Sequence, residues 1–533
     1  MAKYTEEQLN TCSKEMLVAL LLSMQDQMEQ LNRNIEKLVE QLASANNQRY
    51  GRSSEKLAVI DGQMTLEMFF NEAEALTDTT YVVEPEEEQV LPPKKARPSG
   101  KRDADLKDLP EEIIRHTMSE EQLTGIFGAG GWKQLPDEIY KRVRVQPAVY
   151  TVEIHQVAVY AGKDNQTIVK ADRPKSLLRN SIVTPSLGAS IMNAKYTNGL
   201  PLYRISQEFQ RNGIHISRQV MANWMIQLAD RYLGILYDRL HEQLLRYHVL
   251  QADETPVKVS KDGRPANSNS YMWIYRTGKY YKDTPIILYE YQKTRSAEHP
   301  RQFLNGFEGL VVTDAYSAYA KLDRETDELS FAACWAHARR RFAEAEKALP
   351  KEARKLATET IAHQALIRIA AIYHLDQELT GLTPEKRCQK RKLMIQPLVE
   401  AYFAWLKTIH LDEVSSAKTK DGIRYSLNHE KALRLFLEDG EVPLDNNATE
   451  GALRSFCLHK HAWKLIDTID GAKSSAIIYS ITETAKANHL NPFRYLEFLL
   501  ETLKEHQEDT DRSFLDKLLP WSCELPDICR VRK

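Results

Sequence analysis

No two cysteines in this chain are spaced as CxxC. The six present are Cys12, Cys334, Cys388, Cys457, Cys523 and Cys529, and the last pair has no histidine nearby. That pattern predicts neither a disulfide framework nor a zinc site, and it suits a reducing compartment. No GxxxxGKS or GxxxxGKT loop occurs, so no ATP-driven step is indicated. Long apolar runs are also missing. The longest near the start, Met16 to Leu22, is far too short to span a membrane. The opening MAKYTEEQLN is polar and lacks a signal peptide's apolar core. The expectation is a soluble, cytoplasmic protein, associated with the nucleoid and with no membrane partner. An excess of positive charge is absent too: 72 Lys and Arg face 74 Asp and Glu, a formal net of −2. Any nucleic-acid surface must therefore come from local clusters.

What is present is a clear order of segments in 533 residues, enough for about three or four domains. Leu17, Leu21, Met24, Met28, Leu31, Ile35, Leu38 and Leu42 alternate in steps of four and three. This heptad seam predicts an N-terminal coiled-coil helix, taken as residues 1–57, through which the chain self-associates as a homo-oligomer. Its end, QRYGRSSEKL, offers Arg52 as a phosphate contact. Residues 58–104 read as a linker. There an acidic patch precedes Lys94, Lys95 and Arg97, and Pro92, Pro93 and Pro98 prevent a packed core. The basic half is a candidate for lying along a DNA backbone.

Residues 105–180 alternate in places, as in YKRVRVQPAVYTVEIHQVAVYAG, and predict a small β-rich module. Residues 181–245 turn helical. LPLYRISQEFQRNGIHISRQVMANWMIQLADRY reads as a helix, a tight turn at Asn212-Gly213 and a second helix with Ser217 as N-cap. That is a helix-turn-helix pattern, with Arg218 and Gln219 where side chains reach base edges.

From residue 247 the period becomes that of strands. YHVLQADET, YMWIYRTG and PIILYEYQK are followed by a helix, then by LNGFEGLVVTDAY and LSFAACWAH. This is the ribonuclease-H-like order, in which the first and fourth strands are neighbours. The reading assigns residues 246–344 to the first part of an α/β catalytic domain and 345–440 to a helical insertion. Residues 441–510 form the second part and 511–533 a C-terminal tail. Asp253 ends the first strand, Asp314 ends the fourth, and Glu450 opens a helix whose dipole favours an anion. Three carboxylates from distant segments can hold two divalent cations, which activate water or a 3′-hydroxyl against a phosphodiester. Residues alone leave two choices open. Glu254 competes with Asp253, since strand alternation points the pair to opposite faces. Asp445 competes with Glu450, although it more naturally caps the turn before Asn446-Asn447. In CWAHARRRF, His337 starts a helix, where structural hydrogen bonding is the plainer reading. Of the arginines beside it, Arg339 and Arg340 are candidates to face DNA. Arg454 lies one helical turn from Glu450 and can meet a phosphate near the site.

The chain resembles transposases of the insertion sequence 66 family over nearly its whole length. The matching segments include YGRSSEKL, LPLYRISQEF, QADETPVKV, YMWIYRTG, VVTDAYSAY, CWAHARRRF, LDNNATE and GAKSSAIIYSITETAKANHLNPFRYLEFLL. The resemblance implies a DDE transposase with a ribonuclease-H-like catalytic domain. It implies Mg²⁺ as cofactor, with Mn²⁺ able to substitute. Double-stranded DNA, as element ends and target, is the implied partner, with accessory proteins from the same element possible. The acidic triad falls on Asp253, Asp314 and Glu450, which decides against Glu254 and Asp445. Three departures from the family pattern stand out. EEQLTGIFGAGGWKQL has no cysteine where relatives carry a zinc-binding module, so no zinc is expected. Gly451 replaces a usual arginine, and Lys460-His461-Ala462-Trp463 replaces Arg-Lys-Asn-Trp, leaving Lys460 as the DNA-facing charge. These changes motivate an alternative, a weakened or inactive transposase-derived DNA-binding protein.

Overall fold

The computed structural model describes residues 120–127, 149–161, 168–170, 172, 174–265, 268–325, 328–349 and 360–531. The heptad segment and the linker, with Arg52, Lys94, Lys95 and Arg97, lie outside the described residues. The chain divides into two compact units, with the boundary between Lys175 and Ser176. Described residues of the smaller unit form helix α1 (Glu120–Phe127) and an antiparallel ribbon of β1 (Val159–Ala161) and β2 (Ile168–Lys170). The ribbon is the β structure described in the region read as a small β-rich module, and the alternating residues 149–158 form no strand. Val149, Val152 and Ile154 are exposed there. An alternating pattern makes a strand only where a second apolar surface covers one face.

The larger unit begins with α2 (Pro185–Met192), α3 (Leu202–Arg211), α4 (Arg218–Leu228) and α5 (Gly234–Leu244). Between α3 and α4, Gly213 takes φ +78°, a left-handed conformation that costs glycine nothing. Ser217 Oγ then accepts from Val220 N at 3.3 Å and caps α4, a contact worth about 1 kcal/mol. Next come β3 (Val249–Val257), β4 (Val259–Lys261), β5 (Ser270–Thr277), β6 (Ile287–Gln292), α6 (Glu298–Phe303), β7 (Gly309–Thr313), α7 (Ser317–Glu325), β8 (Leu329–Ala333) and α8 (Trp335–Lys347). A helical segment follows: α9 (Ile361–Glu378), α10 (Pro384–Lys390), α11 (Gln396–Thr408), α12 (Ala417–Asn428) and α13 (Glu430–Glu438). The unit closes with α14 (Asn447–Trp463), β9 (Ile466–Thr468), α15 (Ile469–Ala487) and α16 (Pro492–Glu505).

Five strands form the central sheet in the order β6-β5-β3-β7-β8. β3, β5 and β6 are antiparallel hairpin neighbours, while β7 and β8 join parallel to β3 through α6 and α7. Gly309 permits the β3/β7 approach: a Cβ there would stand 2.2 Å from His248 O. Both faces of the sheet are covered, so β3 and β5 are buried almost continuously rather than on alternate residues. The exposed edge of β6 is closed by α15. Thr484 and Ser480, one turn apart, accept from Ile287 N at 3.0 Å and Tyr289 N at 2.7 Å. Those hydroxyls satisfy backbone groups that an open sheet edge would leave as a template for aggregation. The segment α9–α13 shares one continuous core with β7 and β8. Trp335, Phe342, Ile369, Tyr402, Phe403, Leu433 and Phe436 pack there beside Val312 and Ala332. Each such side chain contributes about 1.5–3 kcal/mol on burial.

Candidate active site

Strand alternation along β3 sends Gln251, Asp253 and Thr255 to one face and Ala252 and Glu254 to the other. The first face meets α14. Gln251 Nε2 donates to Asp445 O at 3.2 Å and Asn446 Oδ1 at 3.0 Å. Asn446 Nδ2 donates in turn to Ala252 O at 2.8 Å, and Asn446 N to Cys334 Sγ at 3.1 Å. This fully buried asparagine anchors the start of α14 on β3, so Glu450, one turn in, arrives on the Asp253 side of the sheet. Asp445 is occupied locally, accepting from Asn447 N at 3.1 Å. The parallel register pairs Gln251 with Val312. Asp253 lies two residues further along β3, and Asp314 directly follows the last residue of β7.

The electrostatics confirm that proximity. Asp253 keeps an edge open to solvent, yet its carboxyl is held well above the usual carboxylate range. Lost hydration is the largest cause, followed by Glu254 and Asp314, with Glu450 contributing less. Glu254 is buried on the opposite face and also raised, first by burial and then by Asp314. Arg295 and the Tyr319 hydroxyl both donate to its carboxylate. Arg295 approaches Asp314 Oδ2 at 3.5 Å as well and stacks 3.6 Å over Tyr316. Asp314 is fixed by Tyr316 N donating to Oδ1 at 2.9 Å and Tyr425 OH donating to its carbonyl at 3.1 Å. Glu450 has its own partner: Arg340 Nη2 donates to Oε1 at 3.1 Å and to Oε2 at 2.8 Å. Four carboxylates thus share two guanidiniums.

The three expected acids therefore lie within electrostatic reach of one another, on the central strand β3, just past the end of β7 and in the first turn of α14. Among the described residues no three His, Cys, Asp or Glu side chains are drawn together at metal-ligand spacing. Donor chemistry nonetheless fits a hard divalent cation, which takes carboxylate oxygens and compensates crowded negative charge. The expected DNA contacts divide. Arg218 and Gln219 are exposed at the start of α4. Arg340 is half exposed but paired with Glu450. Arg339 and Arg454 are half-buried. Lys460 donates to Pro256 O at 2.8 Å, which ties α14 to the end of β3. His337 does more than start a helix: its Nε2 lies 3.8 Å from Glu450 Oε1 and accepts from Arg340 Nη1 at 3.3 Å. Loss of hydration and then Arg340 push its pKa down, against a smaller upward pull from Glu450 and Asp314.

Sequence reasoning missed Arg295, Tyr425 and the anchoring role of Asn446, whereas Tyr319 stands out in the sequence as a neighbour of Asp314 able to pack the sheet or touch a sugar. Arg295 lies in a loop with no local pattern. Asn446 had a usable signal, an asparagine pair immediately before a helix.

Three family models match the chain. One described as Transposase IS66 family covers residues 180–474. This chain belongs to the IS66 transposase family. The IS66 C-terminal element matches residues 480–521, and Transposase C of IS166 homeodomain matches 37–114. Relatives of this family member include the uncharacterized protein y4qI of Sinorhizobium fredii, 29% identical over 393 residues, covering 72% of this chain and 70% of that one. The uncharacterized protein y4hP of the same organism is 26% identical over 427 residues, covering 78% and 76%. Among solved structures, the Drosophila P element transposase strand transfer complex matches with 13% identity and a TM-score of 0.33. That match covers 57% of this chain and 94% of the other.

Proposed function

We propose that this IS66 family member is a DDE transposase that cleaves DNA at the ends of its element and joins those ends to target DNA. The observation that carries the proposal is the crowding of carboxylates beside β3 and β7: Asp253 is raised by Glu254, Asp314 and Glu450, while Arg295 meets Glu254 and Asp314 and Arg340 meets Glu450. A purely structural site would match its charges. The strand order β6-β5-β3-β7-β8, with Asp253 on β3 and Asp314 just past the end of its parallel neighbour β7, supports a ribonuclease-H-like catalytic domain.

In this reading Asp253, Asp314 and Glu450 would hold two Mg²⁺ ions, which supply Lewis-acid stabilisation of the attacking and leaving oxygens. The chain's own groups do the rest. Arg295 keeps Glu254 and Asp314 from repelling each other, and Tyr425 fixes the Asp314 backbone. Asn446 and Gln251 hold α14 so that Glu450 cannot drift from β3. The first reaction is hydrolysis of a phosphodiester to leave a 3′-hydroxyl. The second is attack of that hydroxyl on target DNA. Positioning and charge neutralisation dominate such chemistry.

Exposed Arg179, Arg204, Arg211 and Arg218 against Glu208 make the α2–α4 region locally basic in a chain of net −2. This favours DNA contact there. Self-association through the heptad segment completes the reading. Gly451 is exposed with nothing within 4 Å of a built Cβ, so this departure disturbs none of the acids' contacts. The test is Mg²⁺-dependent nicking of a duplex carrying the flanking inverted repeats. Asp253→Asn is expected to abolish nicking and spare binding. Equal rates for variant and wild type would refute the assignment.

A further inference from the structure

Glu450 differs from the other two acids of the proposed triad. Both its oxygens accept from one nitrogen of Arg340. The Arg340 side chain is 50% exposed, while that of Glu450 is 23% exposed. Arg340 is therefore positioned to reach outward as well as inward. His337 braces it by accepting from Nη1. The helix carrying both residues is fixed beneath them by fully buried Trp335, whose Nε1 donates to Leu433 O at 2.8 Å. Only the guanidinium end has freedom to change partners. A guanidinium binds carboxylate and phosphate with the same forked geometry, so the two compete for it.

We infer that Arg340 is an exchangeable partner of Glu450, released when a DNA phosphate takes its guanidinium, so that Glu450 becomes available to a divalent cation only on DNA. This rests on the triad reading of the preceding section. It assigns Arg340 a positioning role that the sequence expectation of a plain phosphate contact did not contain. Its consequence is thermodynamic coupling: DNA raises cation affinity, and the cation raises DNA affinity by the same factor.

The experiment measures Mn²⁺ binding to the full chain by electron paramagnetic resonance. It is run with and without an arbitrary duplex of about 30 base pairs, at low salt, where phosphate contacts are strongest. In the wild type the duplex is expected to raise Mn²⁺ affinity about tenfold. Arg340→Gln is expected to show about that gain without DNA, with the duplex adding no more than about twofold. Arg341→Gln removes the same charge one position along, where the guanidinium stacks on Tyr425 at 4.0 Å. That control is expected to change affinity by less than about threefold, because this guanidinium is held by the Tyr425 ring and by the His337 carbonyl at 2.7 Å and is hydrogen-bonded to no acid of the triad. If Arg340→Gln does not fold, Arg340→Lys keeps the charge without the fork and carries the test, with an expected gain of about threefold.

The inference is overturned if the Arg340 variant binds Mn²⁺ no better than wild type, or if Arg341→Gln gains as much. Asp253→Asn separates the two levels of the argument. If it binds Mn²⁺ as the wild type does, the triad reading itself fails. If it loses Mn²⁺ while the Arg340 variant gains nothing, only the exchange fails.

Discussion

Two regions of the larger unit bury carboxylates, and they treat the charge in opposite ways. Within the helical segment Asp376 is 4% exposed and meets Arg391, which is wholly buried. Arg391 Nε donates to Asp376 at 2.7 Å. Its other nitrogens donate to the carbonyls of Phe436, Asp439 and Val442 and to the Tyr280 hydroxyl. One anion meets one cation, and the guanidinium's remaining donors are satisfied. Beside β3 and β7 four carboxylates meet two half-exposed guanidiniums among the described residues, and Asp253 and Glu254 are both pushed up. A matched pair is how a fold stabilises a buried charge. A surplus of one sign is how a site attracts something from outside.

The largest effect that tests this contrast is catalytic. Asp253→Asn is expected to slow Mg²⁺-dependent nicking on the order of 10³-fold or more, with DNA affinity unchanged in a gel-shift assay. Next is the matched pair. Arg391→Met strands Asp376 without a partner and is expected to cost about 3–5 kcal/mol, read by urea unfolding through tryptophan fluorescence. If Arg391→Met costs nothing, the two regions are not different in kind.

Glu290 on β6 is an intermediate case. Gln292 donates to one of its oxygens, and burial pushes its pKa up to about 7. The folded chain then keeps this proton to about pH 7, whereas the unfolded chain releases it near 4.5. Its stabilising contribution is full below pH 4.5 and is lost as pH rises through 7. The slope is at most about 1.4 kcal/mol per pH unit. Glu290→Gln is expected to flatten that part of the stability profile. The smallest effect is at Gly451. Its open surroundings predict that Gly451→Ala stabilises α14 by about 0.5–1 kcal/mol without altering nicking.

The strand positions and the two-helix turn were readable because period, Gly213 and Ser217 are local signals. Convergence of Asp253 and Asp314 followed from strand order alone. The choice between Asp253 and Glu254 concerns carboxylates on opposite faces of β3, and the sequence does not show that Arg295 links Glu254 to Asp314. No spacing in the sequence reveals a loop arginine arriving between two strands. Arg340 was read as a DNA contact because basic clusters look alike until their partners are seen. Its partner Glu450 lies on a different helix, brought there by the packing of Asn446. The alternation at 149–158 forms no strand, since a local pattern needs a distant surface to become one.

The most direct test compares thermal unfolding of the metal-free full chain, wild type beside Asp253→Asn, before and after adding about 10 mM Mg²⁺. The account predicts that without metal the variant melts higher, because one crowded charge is gone. It predicts that Mg²⁺ then raises the wild type by about 2–4 °C and leaves the variant where it was. An equal rise in both proteins, or none in either, would contradict it.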